Sequence, residues 1–367
     1  MTKTYNFSAG PSSLPQEVLR QAQMELLDFK GSGMSVMEIS HRGSWYKDLQ
    51  AETIELIRQL LQLKLSQQPI FMGGGASLQF TLVPLNLAQG RKCYYLNSGS
   101  FAKQAMLAAQ KLAKQFSVTA EELATTETIG YVSLPKFDST TVDPTAAYVH
   151  FTSNNTVEGT AWPTLPKVTS VPLVADCSSN IMSVNYPYHD LALFYAGAQK
   201  NLGIAGVTLV VIDRSLIDVV SPESDVPGVM LDYRTQIEKD SVYNTPPVFA
   251  VYMLNLMAKW VYAQGGVLAM EQQCQAKSGV LYDYLDASTL YFNNVEKSDR
   301  SINNVTFTTG NPDLDQQFVK SAAVEGLVSL GGHRSVGGMR ASLYNAFPMD
   351  GVRALIDFME NFRKDHS

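Results

Sequence analysis

One lysine of this sequence stands alone in a long apolar, glycine-rich segment, where it is suited to covalent chemistry. Lys200 is the only charged residue between Asp190 and Asp213. Burial disfavours an ammonium relative to the neutral amine, and a neutral lysine amine forms Schiff bases with carbonyl compounds. The alternative is a lysine of a surface loop whose ammonium extends into solvent. The segment by itself leaves both interpretations open.

A carboxylate upstream of this lysine favours the chemical interpretation. Asp176 follows the apolar residues 172–175 and so falls at the end of a predicted strand. A carboxylate paired with a pyridinium nitrogen, together with a Schiff-base lysine, is the combination by which pyridoxal phosphate enzymes turn their cofactor into an electron sink. An aspartate at a strand end also caps the turn that follows it. Lys200 and Asp176 therefore predict a pyridoxal phosphate site, with a simple turn cap as the alternative for Asp176.

A glycine run offers donors for the phosphate group of such a cofactor. Residues 73–75 are all glycine, and Ala76, Ser77 and a helical pattern up to residue 87 follow them. The free backbone N–H groups of a helix N-terminus bind phosphate. The run lacks the Gly-Lys-Ser/Thr ending of nucleoside triphosphate loops, and the chain has no dinucleotide-binding Gly-x-Gly-x-x-Gly motif. In isolation, the three glycines also fit a tight turn.

Two histidine-arginine pairs and a further arginine are candidates for binding an anionic substrate. His41 and Arg42 precede a glycine, His333 and Arg334 follow two glycines, and Arg340 lies just beyond a second glycine pair. Arginine binds carboxylate and phosphate through two parallel N–H bonds, and histidine adds a donor. We therefore expect the pairs to meet at one anion site. Two unrelated solvated turns are the alternative.

Composition and charge restrict the classes of partner. The 367 residues include 28 Lys+Arg and 34 Asp+Glu, and the formal net charge of -6 disfavours nucleic acid and anionic membranes. Three separated cysteines and the lack of a metal-ligand motif predict no disulfide, no metal site and a reducing cytoplasm as the location. Residues 65–90 and 241–258 carry no charge, but polar residues and prolines interrupt both. We expect them to be buried loops and helices, not membrane spans.

Alternating strands and helices must position these residues. Strand-like segments, each followed by small polar residues, occupy 69–72, 93–96, 147–151 and 172–175, and helical patterns cover 15–31, 46–63 and 101–113. The alternation predicts an α/β domain with a mostly parallel sheet, at whose carboxyl edge ligands bind. After residue 266 the pattern becomes that of a smaller α+β domain. We predict a large domain of residues 15–265 and a small domain of residues 1–14 and 266–367.

Five segments along essentially the whole chain carry a family resemblance. The sequence reads NFSAGP at 6–11, SVMEISHRG at 35–43, YAGAQKN at 195–201, YNTPP at 243–247 and GHRSVGGMR at 332–340. Together they closely resemble the phosphoserine aminotransferase family. The resemblance implies a class V aminotransferase of fold type I, a pyridoxal phosphate enzyme that works as a cytoplasmic homodimer.

The resemblance also implies a role for each candidate residue. Lys200 would carry the cofactor, Asp176 would pair with its pyridinium nitrogen and Thr156 would bond its ring hydroxyl. Phe101 would stack on the ring, and Arg340 would bind the substrate α-carboxylate. The cofactor phosphate would be held by Ala76, Ser77 and Gln199, with Asn244 and Thr245 from the neighbouring subunit. The distal phosphate or γ-carboxylate of the substrate would contact His41, Arg42, His333 and Arg334.

The reaction that the resemblance implies is transfer of the amino group from L-glutamate to 3-phosphohydroxypyruvate, in serine biosynthesis. Action on 3-hydroxy-2-oxo-4-phosphooxybutanoate, in pyridoxine biosynthesis, is a further implication. Two rivals share the fold: the distal His-Arg pairs argue against serine:glyoxylate exchange, and the lack of a catalytic cysteine loop argues against cysteine desulfuration. A rival of another class is a non-catalytic protein that binds phosphorylated metabolites.

Two positions depart from the family pattern. Many relatives carry a tryptophan where this chain has Phe101, and phenylalanine offers a π-face of smaller area. Some relatives place an arginine directly after the glycine run, where this chain has Ala76 and Ser77. The second departure removes one cation and leaves more of the phosphate binding to backbone donors and Ser77.

Overall fold

A seven-stranded sheet lies at the centre of the molecule. The structure, a computed structural model, describes residues 4–168, 171–220 and 226–366. In chain order the strands are β1 (Tyr5–Asn6), β2 (Gln67–Met72), β3 (Lys92–Asn97), β4 (Thr119–Thr125), β5 (Val149–Thr152), β6 (Asn154–Asn155), β7 (Thr160–Ala161), β8 (Leu173–Asp176), β9 (Leu193–Gly197), β10 (Thr208–Asp213), β11 (Asn304–Phe307), β12 (Leu327–Val328) and β13 (Met339–Ser342). The order in the central sheet is β2-β10-β9-β8-β5-β3-β4.

Most neighbouring strands of this sheet are parallel. Strand β10 runs antiparallel to β2 and β9, and the other adjacent pairs run parallel. Strands β5, β8 and β9 are buried along their whole length, as is typical of parallel strands covered on both faces. The predicted α/β fold with a mostly parallel sheet is confirmed.

Helices cover the two faces of the sheet and also pack with the C-terminal strands. They are α1 (Gln16–Glu25), α2 (Ser44–Leu61), α3 (Gly75–Leu87), α4 (Ser100–Gln110), α5 (Ala113–Phe116), α6 (Arg214–Val220), α7 (Tyr233–Glu238), α8 (Val248–Ala263), α9 (Gly266–Ala287), α10 (Pro312–Val324) and α11 (Met349–Asp365). Successive residues of a strand point to opposite faces. Accordingly, Val174 and Ala175 of β8 belong to two different apolar cores, one with α3 and α4 and the other with α2 and α8.

Three predicted helices end earlier than their apolar patterns, α2 by two residues, at Leu61. Helix α1 ends at Glu25, not near residue 31, because the backbone is extended at Asp28 and residues 29–31 form a separate 3-10 turn. The helix predicted over 101–113 begins at Ser100 and ends at Gln110. Apolar spacing records which side chains face the core, and it continues across a break in the backbone.

A third core joins the N-terminal strand to the C-terminal elements. Strand β1 pairs with β12 and β11 pairs with β13. Phe7 thereby packs in one cluster with Phe318, Phe347 and Leu355. We propose on this basis that residues 1–14 and 266–367 form the small domain and residues 15–265 the large one. Residues 1–3 and 367, at the limits of the small domain, lie outside the described residues.

The charge-free segments fold as part of this architecture. Residues 65–90 contain β2 and α3, and residues 241–258 lead into α8, which is buried along most of its length. Within residues 4–168, 171–220 and 226–366, no helix has both the length and the apolarity needed to cross a membrane.

Candidate active site

Lys200 lies in the turn between β9 and β10, with its amine directed at two predicted site residues. Its Nζ donates a hydrogen bond of 2.8 Å to Oγ1 of Thr156 and lies 5.6 Å from the ring centroid of Phe101. Burial lowers the pKa of Lys200 to about 8, with Asp176 opposing this shift and Arg340 adding to it. A substantial fraction of the amine is therefore neutral near pH 7 to 8, as Schiff-base formation requires.

Asp176 ends β8 at the carboxyl edge of the sheet, where ligands of such sheets bind. Its Oδ1 accepts a hydrogen bond of 2.9 Å from the backbone N–H of Ser178, so it also caps the turn. Burial raises the pKa of Asp176, and the hydrogen bonds from Ser178 and the charge of Lys200 oppose the shift. A buried acid of this kind is stabilised in its ionised form by a nearby cation, which a protonated ring nitrogen would provide.

Thr156 links the lysine to the arginine of the site. Its hydroxyl accepts the hydrogen bond from Lys200, and its backbone carbonyl accepts one of 3.3 Å from Nη1 of Arg340. Arg340 lies on β13, and burial lowers its pKa. Its Nε is buried and has no hydrogen-bond partner in the structure. The guanidinium therefore retains an unused donor, and its role in binding a substrate carboxylate stays a prediction.

The glycine run forms the N-terminus of α3. Gly74 and Gly75 adopt left-handed φ angles of 86° and 66°. A Cβ atom on Gly74 would lie 2.5 Å from Cδ2 of Leu78, so this position excludes a side chain. Ala76 and Ser77 follow in the first turn, whose N–H groups have no acidic side chain to cap them. This arrangement fits a phosphate group at the helix N-terminus.

Asn244 and Thr245 lie beside the glycine run of their own chain. They line a cavity of about 430 Å³ together with Gly73 and Leu78. Their side chains are exposed. That they act on the phosphate of a neighbouring subunit stays a prediction.

The N-terminal segment packs onto the lysine turn, a contact that sequence reasoning missed. The Ser12 backbone N–H donates a hydrogen bond of 2.9 Å to the carbonyl of Gln199, and the Ser12 hydroxyl donates to the carbonyl of Lys200. A Cβ atom on Gly10 would lie 3.3 Å from Cγ of Gln199. The NFSAGP motif was the available signal, because it directly precedes Ser12.

The remaining cationic residues are less tightly held. His333 bonds Oγ of Ser335 through Nδ1 at 2.7 Å, and Arg334 is exposed. His41 is half-buried, with a partnerless Nε2. Over the described part of the chain, no hydrogen bond or ion pair joins His41 or Arg42 to Lys200 or Arg340. One chain thus brings Lys200, Asp176, Thr156, Phe101 and Arg340 together, but leaves the His41-Arg42 pair unconnected to them.

Metal ligation is not a feature of this geometry. Among the residues that the structure describes, no group of three or more His, Cys, Asp or Glu side chains is placed to hold a metal ion. The donors of the site are instead an amine, a hydroxyl, a guanidinium and a helix N-terminus, which suit an organic phosphate and carboxylates.

Known proteins are similar to this chain over its whole length. The family described as Aminotransferase class-V matches residues 4–355. A phosphoserine aminotransferase of Streptococcus suis (strain 05ZYH33) is 49% identical over 364 residues, which cover 99% of each chain. The solved phosphoserine aminotransferase of Bacillus circulans subsp. alkalophilus gives a TM-score of 0.94 at 39% identity and 100% coverage of both chains. The PLP-bound enzyme of Trichomonas vaginalis gives 0.90 at 34% identity, covering 98% of this chain and 100% of its own.

Proposed function

Since the chain belongs to the class V aminotransferase family and, within it, to the phosphoserine aminotransferases, we propose that it transfers the amino group of L-glutamate to 3-phosphohydroxypyruvate. The products are 2-oxoglutarate and O-phospho-L-serine, a precursor of serine. The proposal extends to 3-hydroxy-2-oxo-4-phosphooxybutanoate, an acceptor of pyridoxine biosynthesis. The observation that carries it is the double contact of Thr156, which holds a reactive amine and a carboxylate-binding guanidinium beside one another.

The cofactor is pyridoxal phosphate, and the residues of the site fit it. When bound, this group supplies an aldehyde that takes up amino groups and a ring that withdraws electrons from the α-carbon. Lys200 would attach it, Asp176 would face its ring nitrogen, Thr156 its ring hydroxyl and Phe101 its ring face. The phosphate would be bound by Ala76, Ser77 and Gln199, and by Asn244 and Thr245 of a second subunit.

Lys200 also moves the proton in the proposed reaction. Its Nζ would take a proton from the α-carbon of the amino donor and deliver it to the cofactor carbon that receives the amino group. In the second half-reaction Nζ would move a proton back from that carbon to the α-carbon of the acceptor. A general base works best when its pKa lies near the operating pH. The pKa of about 8 that burial gives Lys200 meets this condition. Thr156 keeps Nζ in place through its hydroxyl.

Both substrates present an α-carboxylate and a second anion, which explains the number of cations. Arg340 binds the α-carboxylate through the donors that the structure leaves free, and its contact with Thr156 fixes its position. His41, Arg42, His333 and Arg334 bind the distal phosphate or γ-carboxylate. A phosphate carries more charge than a carboxylate, so several donors favour the phosphorylated acceptor.

We further propose a cytoplasmic homodimer. The segment around the His41-Arg42 pair exposes large apolar side chains that a second copy would cover. Leu27 is 83% exposed, Met24 66% and Met37 57%. Burial of such side chains in an interface is favourable, and a second subunit would bring Asn244, Thr245 and the His41-Arg42 pair to the neighbouring site.

Acceptor choice tests the proposed substrate. With L-glutamate as donor, we expect phosphohydroxypyruvate to be used with a kcat/KM about 100-fold above that of hydroxypyruvate or glyoxylate, since unpaired cations reject a neutral end group. Arg334→Ala should lower the value for the phosphorylated acceptor about tenfold or more and leave the other two nearly unchanged. Arg353→Ala, which replaces an exposed arginine on α11, is the control. Equal use of glyoxylate, or an unchanged Arg334→Ala enzyme, would refute the assignment.

A further inference from the structure

A buried glutamate that has no part in the proposed reaction lies beside the substrate-binding cations. Glu158 is 6% exposed. Its Oε1 accepts a hydrogen bond of 2.8 Å from the backbone N–H of Ser100, the first residue of α4, and a second from the Ser100 hydroxyl. Its Oε2 is buried and has no hydrogen-bond partner. An unpaired buried carboxyl oxygen is costly, so its retention calls for a functional explanation.

Gly99 leaves space for this carboxyl group, and the backbone of Glu158 is hydrogen-bonded to β11. A Cβ atom on Gly99 would lie 2.7 Å from Oε2 of Glu158, so a side chain at residue 99 would displace the carboxyl. The backbone carbonyl of Glu158 accepts a hydrogen bond of 3.1 Å from Oγ1 of Thr306. Thr306 lies opposite Arg340 in the β11-β13 pair. Glu158 thus connects the helix that carries Phe101 with β11, the strand that pairs with the strand of Arg340.

Glu158 interacts electrostatically with an arginine and a histidine of the proposed substrate site. Arg340 and His333 each interact electrostatically with its carboxyl group. Tyr131 is a further titratable neighbour, and its hydroxyl donates to Oδ1 of Asn97. Burial raises the pKa of Glu158, while hydrogen bonds from Ser100 and from the backbone of Glu158 itself, together with the electrostatic effect of His333, oppose this shift. Arg340 and Glu158 thus interact electrostatically, and each keeps one buried polar atom without a hydrogen-bond partner, Nε of the arginine and Oε2 of the glutamate.

We propose that Glu158 is a positioning residue that sets how strongly the site binds substrate anions, by competing as a carboxylate for Arg340 and His333. When Glu158 is ionised, it offsets part of the positive charge on which the substrate depends. When it is protonated, that charge is fully available to the substrate. This inference rests on the proposed function, because it assigns Arg340 and His333 to substrate anions.

The variant Glu158→Gln isolates the charge, since glutamine keeps the shape and the acceptor for Ser100 but cannot ionise. Two quantities are compared between the holoenzymes: the Michaelis constant of the phosphorylated acceptor, and the affinity for sulfate measured by calorimetry. Sulfate keeps its double charge between pH 6 and pH 9. At pH 9 we expect the variant to bind both anions about tenfold more tightly than the wild type, with kcat within about threefold. Because burial raises the pKa of Glu158, this ratio should decrease as the pH is lowered and the wild-type carboxylate takes up a proton.

Two further variants serve as controls. Glu127→Gln removes an exposed carboxylate that pairs with Lys103, and it should leave both affinities unchanged at every pH. Ser100→Ala keeps the charge of Glu158 but removes a donor that stabilises the carboxylate. It should therefore move the pH dependence of sulfate binding to higher pH. This variant keeps the proposal testable even where Glu158→Gln does not fold.

Two results would overturn the proposal. Equal affinities of wild type and Glu158→Gln at pH 9 would show that Glu158 does not compete for the cations. Weaker binding of both anions by Glu158→Gln would mean that Glu158 supports the structure and does not compete for the cations. Failure of the proposed function is a separate result, because a wild type that does not aminate 3-phosphohydroxypyruvate still reports the charge of Glu158 through sulfate.

Discussion

Lys200, half-buried at the edge of the central sheet, and Lys277, buried beside the segment that follows β13, have different surroundings. Nζ of Lys200 donates to a single threonine hydroxyl. Nζ of Lys277, which is 3% exposed, donates to the backbone carbonyls of Tyr344, Asn345 and Phe347 at 2.7, 3.3 and 3.0 Å. An ammonium has three donors, so Lys277 is saturated and Lys200 is not.

The difference separates a chemical lysine from a structural one. Burial lowers the pKa of both amines. Of the two amines, only that of Lys200 also has unused hydrogen-bond donors. It lies near the aromatic ring of Phe101 and within the electrostatic influence of Arg340. Burial by itself therefore does not identify a reactive lysine. Lys200 is distinguished from Lys277 by the hydrogen-bond donors of its amine that have no partner.

The largest effect is expected from Lys200→Ala, which should lower kcat by about 10⁴-fold or more, because both the attachment point and the general base are lost. The free energy of unfolding should change by less than about 1 kcal/mol, since Lys200 makes one side-chain hydrogen bond. Steady-state kinetics and urea unfolding measure the two quantities. A variant that keeps a tenth of the wild-type rate would show that Lys200 is not the reactive lysine.

Lys277→Met should have the opposite profile. Methionine fills the space but removes the ammonium from three buried carbonyls, of which that of Tyr344 keeps a second donor, the backbone N–H of Phe347. We expect a loss of about 3 kcal/mol in the free energy of unfolding. The cofactor attachment to Lys200 should persist. The exposed Lys297→Met is the matched control and should cost less than about 1 kcal/mol. Equal stability of the two variants would show that Lys277 is not structural.

Lys200 and Asp176 can be recognised in the sequence, whereas the buried Lys277 cannot. Lys200 stands out because no other charge occurs near it, and Asp176 because it ends an apolar strand; both are local patterns. Lys277 lies in α9 among Glu271 and Asp283, and nothing local distinguishes it from a surface lysine. Its three carbonyl partners are 67 to 70 residues away in the chain.

The same limit applies to the site. Thr156 was placed there by family resemblance, but its second contact, to Arg340, spans 184 residues. The roles of Glu158 and Ser12 likewise depend on contacts between distant segments, which no period of hydrophobicity encodes. The strands were predictable because alternation of apolar runs and small polar residues is a local signal, whereas the end of α1 depends on the extended backbone of one residue, Asp28.

The pH dependence of cofactor attachment reports the pKa of the Lys200 amine. An ammonium does not attack an aldehyde, so the rate at which the apoenzyme takes up pyridoxal phosphate should fall about tenfold per pH unit below the pKa of Lys200. Since that pKa is about 8, the rate should rise up to about pH 8 and level off above it. Stopped-flow absorbance measures the profile. A midpoint near the ordinary lysine value of 10.5 would contradict the assigned environment.

The smallest predicted effect concerns the neighbouring charge. Arg340 adds to the lowering of the Lys200 pKa, after the larger effect of burial. Arg340→Gln should therefore move the midpoint of the attachment profile above pH 8 without restoring the ordinary lysine value. Arg353→Gln, on the far helix α11, should leave the profile in place. A downward shift in the Arg340 variant would mean that its charge does not act on the amine.

The central claim, amino transfer to a phosphorylated acceptor at Lys200, is tested most directly by a two-step titration of the holoenzyme. L-Glutamate alone should change the cofactor absorbance and release one 2-oxoglutarate per site. Addition of 3-phosphohydroxypyruvate should then restore the original spectrum and yield one O-phospho-L-serine per site, and Lys200→Ala should do neither at a comparable rate. An unchanged spectrum with glutamate, or a restored spectrum without O-phospho-L-serine, would contradict the claim.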